Sequence, residues 1–225
     1  MHLNDDFTQR FALDGASMPW QGSPGAHVER RMLDRTGDEL ARATSIVRFA
    51  PDSRFPAHVH GGGEEFLVLD GVFSDEEGDF PAGSYVRNPV GSRHTPSSRE
   101  GCTLFVKLWW MWPADQAFVR IDTRDQGLWT AADVPGVDTM ILHAFGTEQT
   151  RLVRLAQGAH LPERAIAGGE EVLVLAGDCA DADGRYRPWS WVRRPPGAAP
   201  RLASAHGCTL FIKCGHLVDP PDAPL

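Results

Sequence analysis

Basic charge is what this chain has too little of. Its 22 Lys and Arg stand against 30 Asp and Glu, a net charge of −8, and no run of basic residues interrupts the excess. That balance argues against a nucleic-acid partner and against an anionic membrane surface. Long apolar runs are missing as well: none reaches the roughly 18 residues that a membrane span needs. The opening MHLNDDFTQR lacks the basic-then-apolar form of a secretory signal. Cysteine is sparse, and Cys102, Cys179, Cys208 and Cys214 form no C-x-x-C pair. They read as reduced, strand-buried thiols of a cytoplasmic protein. No long amphipathic helical pattern occurs either, and the one helical candidate is a short stretch around Asp5–Leu13.

What the chain does contain is a repeat. A constant shift of 106 residues lays Gly62-Gly63-Glu64-Glu65 on Gly168-Gly169-Glu170-Glu171 and Leu67-Val68-Leu69 on Leu173-Val174-Leu175. The same shift pairs Gly71 with Gly177, Asp75 with Asp181, Val86-Arg87 with Val192-Arg193, and Pro89 and Gly91 with Pro195 and Gly197. Gly101-Cys102-Thr103-Leu104-Phe105 then falls on Gly207-Cys208-Thr209-Leu210-Phe211, and Lys107 on Lys213. A gapless run of this length means two copies of one domain. Within 225 residues and 24.7 kDa, at 42% hydrophobic, two small cores are affordable.

Each copy is a series of short β-type runs broken by Gly, Pro, Asp and Ser. In the first they are Arg42–Phe49, Glu65–Leu69, Val72–Ser74, Gly83–Arg87 and Cys102–Leu108. In the second they include Thr150–Leu155, Glu171–Leu175, Ser190–Arg194 and Cys208–Cys214. This pattern predicts an all-β sandwich or barrel for each copy. Residues about Met111–Val134 connect the copies, and their Trp, Phe and Ile residues predict a packed connector rather than a floppy one.

The chemistry concentrates between His58 and His94. His58-x-His60-x3-Glu64-x6-Gly71 is followed by Gly83-x5-Pro89-x-Gly91-x2-His94. Three imidazoles and a carboxylate are a first coordination shell suited to a divalent first-row metal. His58, His60 and Glu64 share parity, which on one extended strand points them to one face. His94 is then expected from a second strand facing the first, brought back by turns at Gly78, Pro81 and Gly83. Gly61-Gly62-Gly63 is no phosphate loop, since no helix start or Lys-Ser/Thr follows; it lets the backbone bend tightly beside the metal.

These two segments resemble the two motifs of the cupin superfamily. The first motif usually opens on a Gly where this chain has Asp52, and the second usually closes on an Asn where it has Ser98. The strings FPAHVHGGGEEFLVLDGVFSDEEGDFPAGSYVRNPVGSRHTP and GCTLFVK further resemble the cupin-like domain of ChrR anti-sigma factors. The resemblance implies two tandem cupin (double-stranded β-helix, or jelly-roll) barrels. Residues 1–111 would form an N-terminal metal-binding barrel with an extension, and 112–225 a connector with a degenerate second barrel. It further implies one divalent transition metal per chain, zinc first and Fe, Mn or Ni after it, on His58, His60, Glu64 and His94. The sigma-binding helical domain of ChrR, with its own His/Cys zinc cluster, has no counterpart before residue 20, so anti-sigma activity is not expected. Homodimers are expected, as cupins commonly pair through strand edges.

In the second copy the shift turns His58 into Arg164, His60 into Ile166 and His94 into Pro200, and only Glu64 persists, as Glu170. A carboxylate alone will not hold a transition metal, so this barrel is expected to be metal-free and to serve packing; binding of an organic ligand by Arg164 and Glu170 is the alternative. Glu65 and Lys107 match Glu171 and Lys213 without a shared metal site, which predicts structural roles. Trp109, Trp110 and Trp112 predict packing. Two functions follow. One is a metal-containing regulatory module that senses a small molecule or stress, as the ChrR resemblance implies. The other is a metal-dependent dioxygenase or isomerase acting on a small oxygenated substrate at coordination positions the four ligands leave open. Zinc, being redox-silent, favours the first.

Overall fold

The computed structural model describes residues 1–23, 27–38, 40–218 and 220–222. Among them the regular structure is antiparallel β, with a single 3-10 turn at Gln126–Leu128 and no α-helix. The chain forms two compact units. One comprises Met1–Asp5, Met18–Arg124 and the described residues from Pro221 on; the other comprises Asp6–Ser17 and Asp125–Pro220.

In the first unit the strands run in the spatial order Val28–Gly37, Ala41–Phe49, Cys102–Leu108, Glu64–Asp75, Ser84–Asn88, Val119–Asp122. In the second the order is Val137–Phe145, Glu148–Leu155, Cys208–Cys214, Glu170–Gly177, Ser190–Arg194, Phe11–Asp14. The repeat is thus one strand order used twice. Each unit folds as a cupin jelly-roll barrel.

The repeat explains the cores. Phe66, Val68, Val86, Cys102, Leu104 and Val106 face the inside of the first barrel. At the matching positions Val172, Val174, Val192, Cys208, Leu210 and Ile212 fill the second. Alternation along a strand sends every second side chain inward, and each large one buried contributes roughly 1.5–3 kcal/mol. One irregularity is also repeated. Gly71 and Gly177 sit at φ +72° and +69°, and a Cβ there would lie 2.0 and 2.1 Å from the carbonyl oxygens of Gly101 and Gly207. Two residues before each glycine, at Leu69 and Leu175, the register shifts against the strand opening at Cys102 or Cys208, and the glycines allow the close approach that follows.

The last strand of each sheet comes from a different part of the chain. Val119–Asp122 covers the edge of Ser84–Asn88, with Tyr85 opposite Ile121. Phe11–Asp14 covers the edge of Ser190–Arg194, with Leu13 opposite Trp191. The short stretch around Asp5–Leu13, the one helical candidate, is therefore not helical. Phe11 and Leu13 alternate with Ala12 and Asp14 at strand period, and Phe7 and Phe11 each stack on the buried Arg193 guanidinium, 4.8 Å from ring centroid to carbon. Pairing of an open sheet edge outweighs a marginal local helix propensity. The connector is likewise packed, since part of it is the edge strand Val119–Asp122.

Outward from the barrel cores lies a second, polar buried layer. Glu65 accepts from the Tyr85 hydroxyl at 2.8 Å and faces Arg87 at 3.6 Å. Glu171 accepts from Trp191 Nε1 and from His216 Nε2, each at 3.2 Å. Lys107 donates to Thr44 Oγ1 at 2.7 Å and lies 4.3 Å from the Trp110 ring, while Lys213 pairs with Glu148. These residues are structural, and adjacent parity separates them from the site: Glu64 points into the barrel and Glu65 points out.

Candidate metal centre

The three histidines converge at the mouth of the first barrel. His58 and His94 are directly opposed partners in the short ladder of His58–Val59 with Arg93–His94. His60 follows, its amide donating to Ser92 O at 2.9 Å, and ligand nitrogens of all three rings lie within 4.8 Å of one another. Ring centroids are 4.6–5.0 Å apart, and the planes are steeply inclined. Glu64 opens the long central strand and presents Oε2 3.4 Å from His60 Nε2 and 3.5 Å from His94 Nε2. All four expected residues therefore meet. His58, His60 and Glu64 do not lie on one strand as their parity suggests. A turn at Gly61-Gly62 separates the two histidines from the strand that begins at Glu64.

That turn is shaped by Trp109. A Cβ at Gly62 would lie 2.3 Å from Trp109 Cδ2, and one at Gly61 2.7 Å from Trp109 Cζ2. The indole lies directly against the backbone that carries His60, so the glycines are required by close approach. Trp109 itself adopts φ +62° to reach this position. Asp52, standing where the cupin motif has glycine, keeps a left-handed φ of +56°, which Asp tolerates better than most residues. Ser98, in place of the motif's Asn, is buried and donates to Val72 O at 2.6 Å.

Hydrogen bonds fix which nitrogen each ring offers. His58 Nδ1 lies 3.0 Å from Pro56 O and His94 Nδ1 3.0 Å from Asp75 Oδ2. Both partners can only accept, so both Nδ1 atoms carry a proton, and in the neutral rings both Nε2 atoms present a lone pair. His60 Nε2 and His94 Nε2 are buried and have no hydrogen-bond partner. Buried polar atoms are rarely left this way, and a metal ion is the species that satisfies several imidazole lone pairs at once. The cluster of His58, His60 and His94 fits a metal on these grounds.

Electrostatics at the site are divided. Burial, with His94 and His58 adding to it, lowers the pKa of His60 despite the Glu64 charge, which keeps it neutral and able to ligate. For His94, burial is the largest single influence and acts downward. The Asp75 hydrogen bond and the charges of Glu64, Asp75 and Glu76 together outweigh it and leave the pKa raised.

Three further residues belong to the site. Asp75 orients His94. Asn88 Nδ2 donates to Glu64 Oε2 at 3.3 Å, and Arg120 Nη2 donates to Asn88 Oδ1 at 2.7 Å. A cavity of about 750 Å³ opens over His58 and His94, with Phe118 and Arg120 in its wall. Motif spacing does not reveal these three. Asp75 alone left a trace, as one of the matches between the repeats.

In the second barrel the same positions hold a different arrangement. Arg194 stands where the first barrel has Asn88. Its Nη1 donates to Glu170 Oε1 at 2.7 Å, and its Nη2 pairs with Asp181 Oδ2. Glu170 and Asp181 match Glu64 and Asp75, so a guanidinium spans the two carboxylates that flank the histidines of the first barrel. Among the described residues no metal-type cluster forms there.

The model of the ChrR cupin-like domain family matches residues 8–111 and again 116–218. No curated protein sequence matches the chain. Among solved structures, a protein from Nostoc punctiforme provisionally named a dioxygenase superposes with TM-score 0.76 at 20% identity, over 97% of this chain and 88% of that one. Salicylate 1,2-dioxygenase from Pseudoaminobacter salicylatoxidans, with gentisate, gives 0.70 at 12% over 94% and 82%. The nickel(II) complex of the Escherichia coli pirin YhhW gives 0.70 at 11% over 95% and 100%. At these identities the likeness is one of fold. With both repeats matched over most of its length, the chain belongs to the ChrR cupin-like domain family.

Proposed function

We propose that the protein is a metal-dependent cupin enzyme, an oxygenase or isomerase acting on a small oxygenated molecule. In this reading the first barrel holds one divalent transition metal on His58, His60, Glu64 and His94. The observation that carries it is the join of unsatisfied Nε2 lone pairs to a cavity of about 750 Å³. A purely structural metal site is closed, whereas a catalytic one keeps access for substrate. When bound, the metal supplies Lewis acidity toward a substrate oxygen and, if iron or manganese, redox capacity.

The chain's own residues do the rest. Asp75 and Pro56 O hold His94 and His58 with Nε2 turned inward. Asn88, itself held by Arg120, keeps Glu64 oriented. Arg120 also gives the cavity wall a fixed positive charge suited to a carboxylate or enolate oxygen, and Phe118 gives it an apolar face.

Family membership favours a second reading, a non-catalytic metal-containing regulatory module. Elemental analysis of the purified, untagged protein beside a His94→Ala variant separates the two, followed by oxygen uptake with a panel of small hydroxy and keto acids. One equivalent of iron, manganese or nickel, lost in the variant, with substrate-dependent turnover, supports the enzyme. One equivalent of zinc without turnover supports the regulatory module. No metal in either sample after reconstitution would overturn both.

A further inference from the structure

The second barrel has its own cavity, of about 270 Å³, at the place corresponding to the metal site of the first. Its wall is apolar along Val153, Leu161, Ile166 and Leu202, and two arginines, Arg151 and Arg164, reach it. The carboxylate at its floor, Glu170, is already bound by Arg194. Arg194 in turn is shared with Asp181. Counting these five groups, three guanidinium cations face two carboxylates and leave one positive charge. Arg151 donates to the neutral Gln149 Oε1 at 2.6 Å. Arg164 is exposed and makes no hydrogen bond or ion pair among the described residues, and only its charge is felt at Glu170. An apolar pocket with one surplus guanidinium matches a monoanion with an apolar body.

We propose that the second barrel binds a small organic monocarboxylate, its carboxylate on Arg164 and Arg151 and its hydrocarbon part against Val153, Ile166 and Leu202. The cavity lies just under the roughly 300 Å³ at which ligand pockets usually begin, so the ligand is the size of a short-chain or single-ring acid. A second carboxylate would meet Glu170 and the apolar wall, so the site selects against diacids. The positive charge that a metal brings to the first barrel is here supplied permanently by Arg194. The barrel thus keeps a binding mouth while no longer needing an ion. This inference is independent of the metal reading, since none of its residues belongs to the first barrel.

The test is calorimetric titration of the full chain with hexanoate and benzoate, with hexanol and adipate as neutral and dianionic controls. Three proteins are compared: the wild type, Arg164→Gln, and His94→Ala to disable the first site. Saturable binding of either monocarboxylate is expected. It should weaken at least tenfold in Arg164→Gln and persist in His94→Ala, and hexanol and adipate should bind at least tenfold more weakly. Arg164 is exposed, so its replacement leaves the fold intact, which matched thermal melts check. The proposal is overturned if neither acid binds, if binding disappears in His94→Ala, or if Arg164→Gln binds as the wild type does.

Discussion

Replacing Asp75 with Asn isolates the support of the metal centre from its ligands. The carboxylate accepts from His94 Nδ1 at 3.0 Å, and the Asp75 side chain is only 1% exposed, so water cannot take over its charge. Asn keeps the shape and an acceptor oxygen but removes the negative charge that strengthens His94 as a donor of its Nε2 lone pair. Losses of this kind typically weaken metal affinity 10–100-fold, or about 1.4–2.7 kcal/mol. Competition with a fluorescent chelator measures it directly. The pH dependence adds a signature that general destabilisation would not give. In the metal-free wild type His94 holds its proton to higher pH than an ordinary imidazole, because the Asp75 hydrogen bond and neighbouring carboxylates outweigh burial. Metal must displace that proton, so wild-type affinity falls as pH drops through the raised pKa. In Asp75→Asn the proton leaves more readily and the fall is shallower. The gap between the two proteins is therefore widest at about pH 8 and narrows toward about pH 6, across the imidazole range. Equal affinities at every pH would refute the orienting role, and so would a uniform loss tracking a lower melting temperature.

Three other perturbations probe the frame around the two sites. Gly62→Ala places a Cβ 2.3 Å from Trp109 Cδ2 and should cost about 1–3 kcal/mol in urea unfolding. Combined with Trp109→Ala the cost should be less than additive, and strict additivity would show that the two do not meet. Arg194→Asn, which copies the residue of the first barrel, removes the cation between Glu170 and Asp181 and should destabilise by roughly 3–5 kcal/mol, with metal content unchanged; a second equivalent of metal in this variant would contradict the division of roles. Burial raises the Cys102 thiol to about 11, so it should resist iodoacetamide at about pH 9 in the native protein and react once unfolded, where thiols ionise near pH 8.5. Between those values the folded chain holds the extra proton, so this group's contribution to stability declines as pH rises through that window. The stability advantage of wild type over Cys102→Ala should shrink accordingly in alkaline urea titrations.

Much of this architecture was legible in the sequence because the repeat reports on itself. Cys102–Leu108, Ser190–Arg194 and Cys208–Cys214 were bounded correctly, since each is an uninterrupted apolar run between turn residues. Val28–Gly37 and Val137–Phe145 were not anticipated. Their charged residues, such as Glu29, Arg30, Arg31 and Asp138, hide the alternation, and Met32/Asp34 and Ile141/His143 carry register shifts that break it. Phe11–Asp14 was missed because an edge strand is defined by the partner it pairs with, which lies 176 or more residues away. At the site, motif spacing located the four residues that meet. It carried no information on Asp75, Asn88 and Arg120, whose roles depend on hydrogen bonds between elements distant in sequence.

The two barrels together indicate what the fold requires at this mouth. Two carboxylates, Glu64 with Asp75 and Glu170 with Asp181, stand at equivalent places, and each is largely removed from water. Such a pair is costly without a cation between its members. In the second barrel a covalently attached guanidinium meets that requirement, with its two donors reaching one carboxylate each. In the first, the matching residue is Asn88, which is neutral, and the space between the carboxylates is occupied by imidazoles whose inward nitrogens have lone pairs to give. A protonated His94 meets the requirement in part, which is why its pKa is raised. A divalent metal meets it more fully and leaves the imidazoles neutral. Asn88 in the first barrel and Arg194 in the second therefore go with the presence and the absence of the three histidines. The second mouth carries its own cation in Arg194, which leaves its cavity to the ligand proposed for Arg151 and Arg164.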